Sequence, residues 1–370
     1  MPISLRFASL FLLCLMAACS QPVKAPAEPA PLAAEAPAPT PPPMAATPVV
    51  PPAAALGEPA EAPGVPPSPE EVEAFVLATE KTSGMPAAEI RAWLAQAKYQ
   101  QSIISAITRP AEGKPWKDYR PIFITADRIN SGRKFYAENK ADLDRVATAT
   151  GVPAQYIVAI IGVETSYGRV TGSYRVLDAL YTLGFFYPKR EEFFRSELGH
   201  LFKLAKEEKL DLATLKGSYA GAMGWGQFMP SSYLNYGRDG DGDGRRDLVG
   251  SRRDAFASIA NYFIGHGWQV GGTPFVRAQA APDAQEFKPE NWEAKYTLAA
   301  LAAKGYRPVD ADAPQGLATL VTLEGANGTE HWIGYQNFYV ITRYNRSPMY
   351  AMAVHQLAQA IAAPAAPAAP

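Results

Sequence analysis

The chain has 370 residues, two cysteines, four histidines, and 35 basic against 36 acidic side chains, for a formal net charge of −1. Two cysteines exclude a disulfide-stapled scaffold and a Cys-rich zinc module, and the balanced charge excludes the basic footprint of a nucleic-acid binder. A hydrophobic fraction of 48% with 19% charged residues is that of a globular protein, long enough for one large domain or two ordinary ones.

In chain order, residues 1–19 read first as an export signal. Arg6 supplies positive charge, and Phe7 to Ala18 is an apolar run too short for a permanent membrane span. The end of the run, Leu15-Met16-Ala17-Ala18-Cys19-Ser20, resembles a bacterial lipobox, with Met16 where leucine is commoner. That resemblance implies cleavage before Cys19 and lipidation of Cys19. Ser20 then implies delivery to the periplasmic side of a Gram-negative outer membrane. A plain secretory signal is the alternative. Of the 34 prolines, 18 fall in residues 1–69. Residues 20–69 hold few large apolar side chains, so burial cannot offset their ordering entropy. They are expected to form a disordered Pro/Ala-rich tether, and residues 363–370 a similar tail.

Residues 70–362 read as the globular part, α+β in class and mostly α. Apolar spacing predicts helices over 70–82 and 87–107, and Thr125 caps another that runs to Thr150 and stops at Gly151. Pro153 suits the first position of a helix over 154–167. Further helices fit 176–186, 190–209, 254–266 and 292–304. Segments 317–323, 331–335 and 338–344 are rich in β-branched and aromatic residues and predict a small antiparallel sheet near the C-terminus. A last helix spans 348–362. The four histidines are scattered without metal-ligand spacing.

Glu164 is the most informative residue. It closes the helix Tyr156-Ile-Val-Ala-Ile-Ile-Gly-Val-Glu164, which is apolar nearly all round and so belongs in the core. Ile157, Ile160, Ile161 and Glu164 share one stripe. Burial and the C-terminal end of the helix dipole both favour a protonated carboxyl near neutral pH, as a general acid requires. The alternative is a structural glutamate paired with Arg169 or Arg175, or one facing solvent. A second feature, Gly217-Ser-Tyr-Ala-Gly-Ala-Met-Gly-Trp-Gly-Gln-Phe228, combines glycines with hydrogen-bonding and flat aromatic groups. That mixture suits a sugar, and it also suits a tight structural turn.

Glu164-Thr-Ser-Tyr-Gly168, followed by Gly221-Ala-Met-Gly-Trp-Gly-Gln-Phe-Met-Pro-Ser-Ser232, resembles the lysozyme-like lytic transglycosylases. The longer match is to the membrane-bound lytic murein transglycosylase B family. It extends through Tyr119-Arg-Pro-Ile-Phe-Ile-Thr125, Tyr187-Pro-Lys-Arg190, Asn261-Tyr-Phe263 and Ile341-Thr-Arg-Tyr-Asn345. The resemblance implies a lysozyme-like catalytic core behind a helical N-terminal region. It implies cleavage of the β-1,4 bond between N-acetylmuramic acid and N-acetylglucosamine of peptidoglycan, leaving 1,6-anhydromuramic ends. Glu164 would be the single acid and then base. Ser218, Gln227, Tyr262, Tyr344 and Asn345 would line the cleft. Arg190 and Lys189 would receive carboxylates, with Lys189 standing where an arginine is usual and weakening bidentate contact. Tyr119, Phe228 and Tyr350 would contribute sugar subsites or pack the core. The partners implied are glycan strands and, through the lipid, a membrane, for a monomeric enzyme without a catalytic cofactor.

The loop Asp239-Gly-Asp241-Gly-Asp243-Gly244-Arg245-Arg-Asp247 has an EF-hand rhythm, but Gly250 stands where the closing glutamate belongs. The resembling family has a variant loop of this kind, over 239–254 here. It implies a structural calcium held by Asp239, Asp241, Asp243, the Arg245 carbonyl and Asp254. Neutralisation by Arg238, Arg245, Arg246, Arg252 and Arg253 is the alternative. Two rival functions stay open at this point, a muramidase-type hydrolase and a non-catalytic wall-binding lipoprotein.

Overall fold

The computed structural model of the chain describes residues 66–108 and 114–364. Cys19, the export signal, nearly all of the tether and most of the C-terminal tail lie outside the described residues. Helices run α1 Pro69–Ser83, α2 Ala87–Leu94, α3 Gln101–Ile107, α4 Trp116–Phe123, α5 Ala126–Glu138, α6 Lys140–Thr150 and α7 Ala154–Thr165. They continue as α8 Val176–Phe186, α9 Glu191–Glu208, α10 Pro230–Tyr236, α11 Arg252–Gly265, α12 Leu298–Ala303, α13 Gln336–Tyr344 and α14 Pro348–Ala362. Two short strands, β1 Tyr174–Arg175 and β2 Lys216–Gly217, pair antiparallel. Strands β3 Phe275–Ala280, β4 Tyr296–Thr297, β5 Tyr306–Pro308, β6 Leu317–Gly325 and β7 Gly328–Gly334 form one antiparallel sheet in the order β4-β6-β7-β3-β5. The fold is α+β and mostly helical, as the residue pattern implies.

Helix α7 is the centre of the main core. Ile157, Val158, Ala159, Ile160 and Ile161 are all at 0% exposure, and α5, α6, α11 and α14 pack around them. An all-round apolar helix is stable only in such a place. Its ends follow the sequence: Gly151 closes α6 in the left-handed region, and Pro153 stands immediately before α7 as its N-cap rather than as its first residue. The sheet has a separate small core of Ala278, Leu301, Tyr306, Ala318, Leu320, Ile333 and Tyr335.

Four expectations are corrected. The helix expected over 87–107 is two helices. At the break, the N–H groups of Lys98 and Gln100 donate to the Asp178 carboxylate at 2.9 Å and the Thr182 hydroxyl at 3.1 Å, which replace helical carbonyl partners. The helix expected from Thr125 to Thr150 breaks at Asn139, whose amide turns back onto the Phe135 carbonyl at 2.7 Å. Segment 338–344, expected as a strand, belongs to α13. Its β-branched composition hid a helical stripe of Asn337, Phe338, Ile341 and Tyr344, all buried. The helix expected over 292–304 is only α12, started by the Thr297 hydroxyl on the Ala300 N–H. Strand β3, between β7 and β5 in the sheet, was not anticipated, because Phe275–Ala280 lacks a clear apolar alternation.

Asp178 sits at the α2–α3 break with 6% side-chain exposure and pairs with Arg175 as well as with Lys98 and Gln100. Breaking a buried pair leaves a charge uncompensated. Asp178→Ala should lower stability by about 3 kcal/mol, read as a lower urea midpoint with an unchanged slope.

Candidate active site

Glu164 occupies the second-to-last position of α7, where the core helix reaches a cavity of about 370 Å³. Its Oε1 accepts a hydrogen bond of 2.5 Å from the Tyr350 hydroxyl, presented by the first turn of α14. Its buried Oε2 has no partner among the described residues. Burial pushes the carboxyl from an ordinary 4.5 up to about 8, and the Tyr350 hydrogen bond opposes that rise. The group is therefore a neutral acid at pH 7, with one oxygen held and one left over.

Besides Val163 and Glu164 of α7, the cavity wall comes from three segments. Helix α4 supplies Tyr119 and Phe123; the stretch after α7 supplies Val170, Gly172, Ser173 and Tyr174; the glycine-rich loop supplies Ser218, Tyr219 and Gln227. The β1–β2 pairing sets Tyr174 opposite Gly217 and so joins two of these segments. The Gln227 amide nitrogen donates to the Thr171 carbonyl at 3.1 Å and the Gly224 carbonyl at 3.0 Å. The Ser218 hydroxyl accepts from the Ala222 N–H at 3.1 Å. Behind the loop, the buried Glu197 carboxylate of α9 accepts from the Ser231 N–H at 2.9 Å and hydroxyl at 2.6 Å. These bonds fix the loop's exit.

The structure brings Glu164, Tyr119, Ser218 and Gln227 together and sets the other sequence candidates apart from the cavity wall. Tyr262, Tyr344 and Phe228 pack on one another as an aromatic cluster outside the cavity lining. Phe228 lies edge-on to both tyrosines, the Tyr262 hydroxyl donates to the Arg343 carbonyl, and the Tyr344 hydroxyl donates to the Gly226 carbonyl, each at 2.6 Å. Asn345, 2% exposed, accepts the Ser347 N–H at the start of α14. Tyr350 is fully buried and grips Glu164. Lys189 is exposed, and the Arg190 guanidinium stacks over Phe193 and Phe194 at 4.5 and 5.2 Å with its Nη2 buried and unpartnered. Phe123, Val170, Ser173 and Tyr174 were missed in the sequence. Phe123 lies within a motif already singled out, but nothing marked 170–174 beyond its position after the glutamate.

Two carboxylates that could have joined Glu164 do not. Asp178 is committed to the α2–α3 break, and Glu192 is exposed on α9. Among the described residues, Glu164 is the one acid in the cavity wall.

In the acidic loop, carboxylate oxygens of Asp239, Asp241 and Asp254 lie within 4.8 Å of one another. Asp243 is outside this group and accepts the Arg245 N–H at 2.8 Å. Four of the five arginines around the loop are engaged elsewhere: Arg246 with Glu207 and Glu208, Arg253 with Asp142, Arg245 with the Glu208 carbonyl, and Arg252 over Trp225. Among the described residues no salt bridge reaches the loop's aspartates. A converging set of hard oxygen donors without a cationic partner fits a divalent ion such as calcium.

A core helix that ends in a neutral glutamic acid at a cavity lined by hydrogen-bonding and aromatic side chains defines a glycosidase-like enzyme. The transglycosylase SLT domain family matches residues 68–359. The membrane-bound lytic murein transglycosylase B of Escherichia coli K12 is 44% identical over 280 residues, which is 73% of this chain and 76% of that protein. The soluble lytic transglycosylase SltB1 of Pseudomonas aeruginosa, solved in a catenated form, superposes with a TM-score of 0.76 at 46% identity, covering 80% of this chain and 98% of the other. The Escherichia coli lytic transglycosylase Slt35, solved in complex with calcium, superposes with a TM-score of 0.72 at 41% identity, covering 79% and 92%. The chain belongs to the SLT-domain lytic murein transglycosylases.

A carboxyl raised from 4.5 to about 8 is protonated in the folded protein and ionised in the unfolded chain between those values. Its effect on stability is nil below pH 4.5, becomes unfavourable as pH rises, and levels off above 8. Glu164→Gln should therefore be more stable than the native chain at pH 8, by on the order of 4 kcal/mol, and equal to it at pH 4. Thermal melts at the two pH values measure this. Tyr350→Phe removes the one bond that lowers the Glu164 value. It should shift the alkaline limb of kcat to higher pH and reduce kcat roughly tenfold.

Proposed function

We propose that the chain cleaves the β-1,4 bond between N-acetylmuramic acid and N-acetylglucosamine in peptidoglycan and closes a 1,6-anhydro ring on the muramic residue. The observation that carries this reading is the solitary, neutral Glu164 in the cavity. Its free oxygen is the proton donor. As the C1–O bond breaks, Glu164 protonates the departing oxygen and becomes a carboxylate. It then takes the proton from the C6 hydroxyl of the same sugar while O6 bonds to C1. The acid is regenerated and no water is consumed. Glycosidases of the usual kind need a second carboxylate to act as nucleophile or to activate water. An internal hydroxyl removes that need and is already in place.

In this reading Ser218, Gln227 and Tyr119 hold the sugar rings, and Tyr262, Tyr344, Asn345 and Phe228 support the wall from behind. Lys189 and Arg190 answer to anionic groups further along the strand. Asp239, Asp241 and Asp254, with the Asp243 and Arg245 segment, would hold a calcium ion. The ion would brace the loop by neutralising its carboxylates and take no part in bond cleavage. Lipidated Cys19 and the 20–69 tether would place residues 70–362, a monomer, within reach of the wall from the periplasmic face of the outer membrane. The membrane-bound name of the Escherichia coli relative supports this placement.

Glu164→Gln should reduce release of muropeptides by about 10³-fold while keeping the fold. Mass spectrometry of products from the native enzyme should find ends one water lighter than reducing ends; reducing ends alone would assign the reaction to hydrolysis. Chelation with EGTA should lower the melting temperature by about 5 °C, and calcium should restore it.

A further inference from the structure

Thr165 follows Glu164 directly and has no part in the chemistry above. Its side chain is at 0% exposure. Its single hydroxyl proton is shared between the Ile161 carbonyl within α7 at 3.0 Å and the Trp225 carbonyl in the glycine-rich loop at 3.1 Å. Its oxygen accepts the Gly168 N–H at 3.0 Å. One hydroxyl therefore joins the end of α7, the turn that follows it, and the loop that bears Gln227.

That turn has little local reason to hold its shape. Ser166, Tyr167 and Gly168 take φ values of 50°, 63° and 81° in succession, a region that side chains other than glycine disfavour. Gln227 shares the trait at φ 50°. The turn is held by tertiary contacts instead. The Tyr167 hydroxyl donates to the Arg128 carbonyl at 2.8 Å. Gly168 lies so close to the Trp225 ring that a Cβ would stand 2.2 Å from it. Trp225 is anchored on its far side as well, where its N–H donates to the Leu248 carbonyl of the acidic-loop exit at 3.2 Å. Gly224 presses on that same carbonyl, and a Cβ there would also meet it at 2.2 Å.

A helix terminus lacks intrahelical partners and frays unless other groups hold it. Here the last turn of α7 carries the catalytic group, so fraying would swing the carboxyl toward water. We infer that Thr165 is a positioning residue for the reaction: its hydroxyl locks the end of α7 to the Trp225 carbonyl and so fixes the Glu164 carboxyl against the loop that bears Gln227. Leu248 is the outer anchor of this lock. The inference rests on the acid role proposed for Glu164.

Thr165→Val keeps the shape and removes the hydroxyl, whereas Thr165→Ser keeps the hydroxyl and removes the methyl. The valine variant should lose at least about tenfold in kcat with KM within about twofold of native. Its alkaline limb should move to lower pH as the carboxyl gains water. The serine variant should recover both kcat and the limb. Thr165→Ala replaces the valine variant in this comparison if the latter does not fold. Native kcat and an unmoved limb without the hydroxyl would overturn the inference, as would a serine variant as impaired as valine, which would assign the effect to packing of the methyl. Activity retained by Glu164→Gln under the same assay would instead remove the acid role on which the inference stands.

Discussion

A carboxyl group held away from water by the end of a core helix is the constraint on which the rest of this structure depends. Burying Glu164 is costly, and the cost appears as a value raised to about 8. The chain accepts it because α7 is a core helix: the same isoleucines that centre the fold deliver the glutamate to the cavity floor. A single partner, Tyr350, orients one oxygen without ionising the group. A cationic partner would have stabilised the carboxylate and removed the acid. The basic residues accordingly stand off; Arg169 pairs with Asp127 and Arg175 with Asp178.

In the proposed reaction the groups around the glutamate orient it and do not react. The glycine-rich loop is pinned at its exit by Glu197 through Ser231, at its middle by Tyr344 through Gly226, and near its centre by Leu248 through Trp225. The acidic loop contains this last anchor, so it touches the glycine-rich loop directly. The five-stranded sheet packs its own small core and contributes no residue to the cavity wall.

Much of this could be read from residue types and spacing. Glu164 was evident because a charged residue interrupts an apolar stripe, and burial is the property that makes it useful. The final helix, α8 and the caps at Thr125 and Gly151 follow from local chemistry and lie where expected. What could not be read depends on contacts distant in sequence. Asp178, eighty residues from Lys98, splits one helix in two. Tyr350 reads as a sugar subsite or a core residue, and its hydroxyl bonds Glu164, because only the packing of α14 against α7 decides which way it points. Tyr262, Tyr344 and Phe228 carry the composition of a binding wall, and the structure packs them on one another. In α13, β-branched and aromatic composition suggested a strand, and the burial stripe determined a helix.

The central claim is that Glu164 is a neutral acid at physiological pH and the one such group in the cavity. Carbon-13 NMR titration of glutamate side-chain carboxyls, compared between the native chain and Glu164→Gln, tests it directly. The account predicts one resonance, absent from the variant, that changes near pH 8 while the exposed glutamates change at ordinary values. A Glu164 carboxyl that titrates near 4.5 would contradict it.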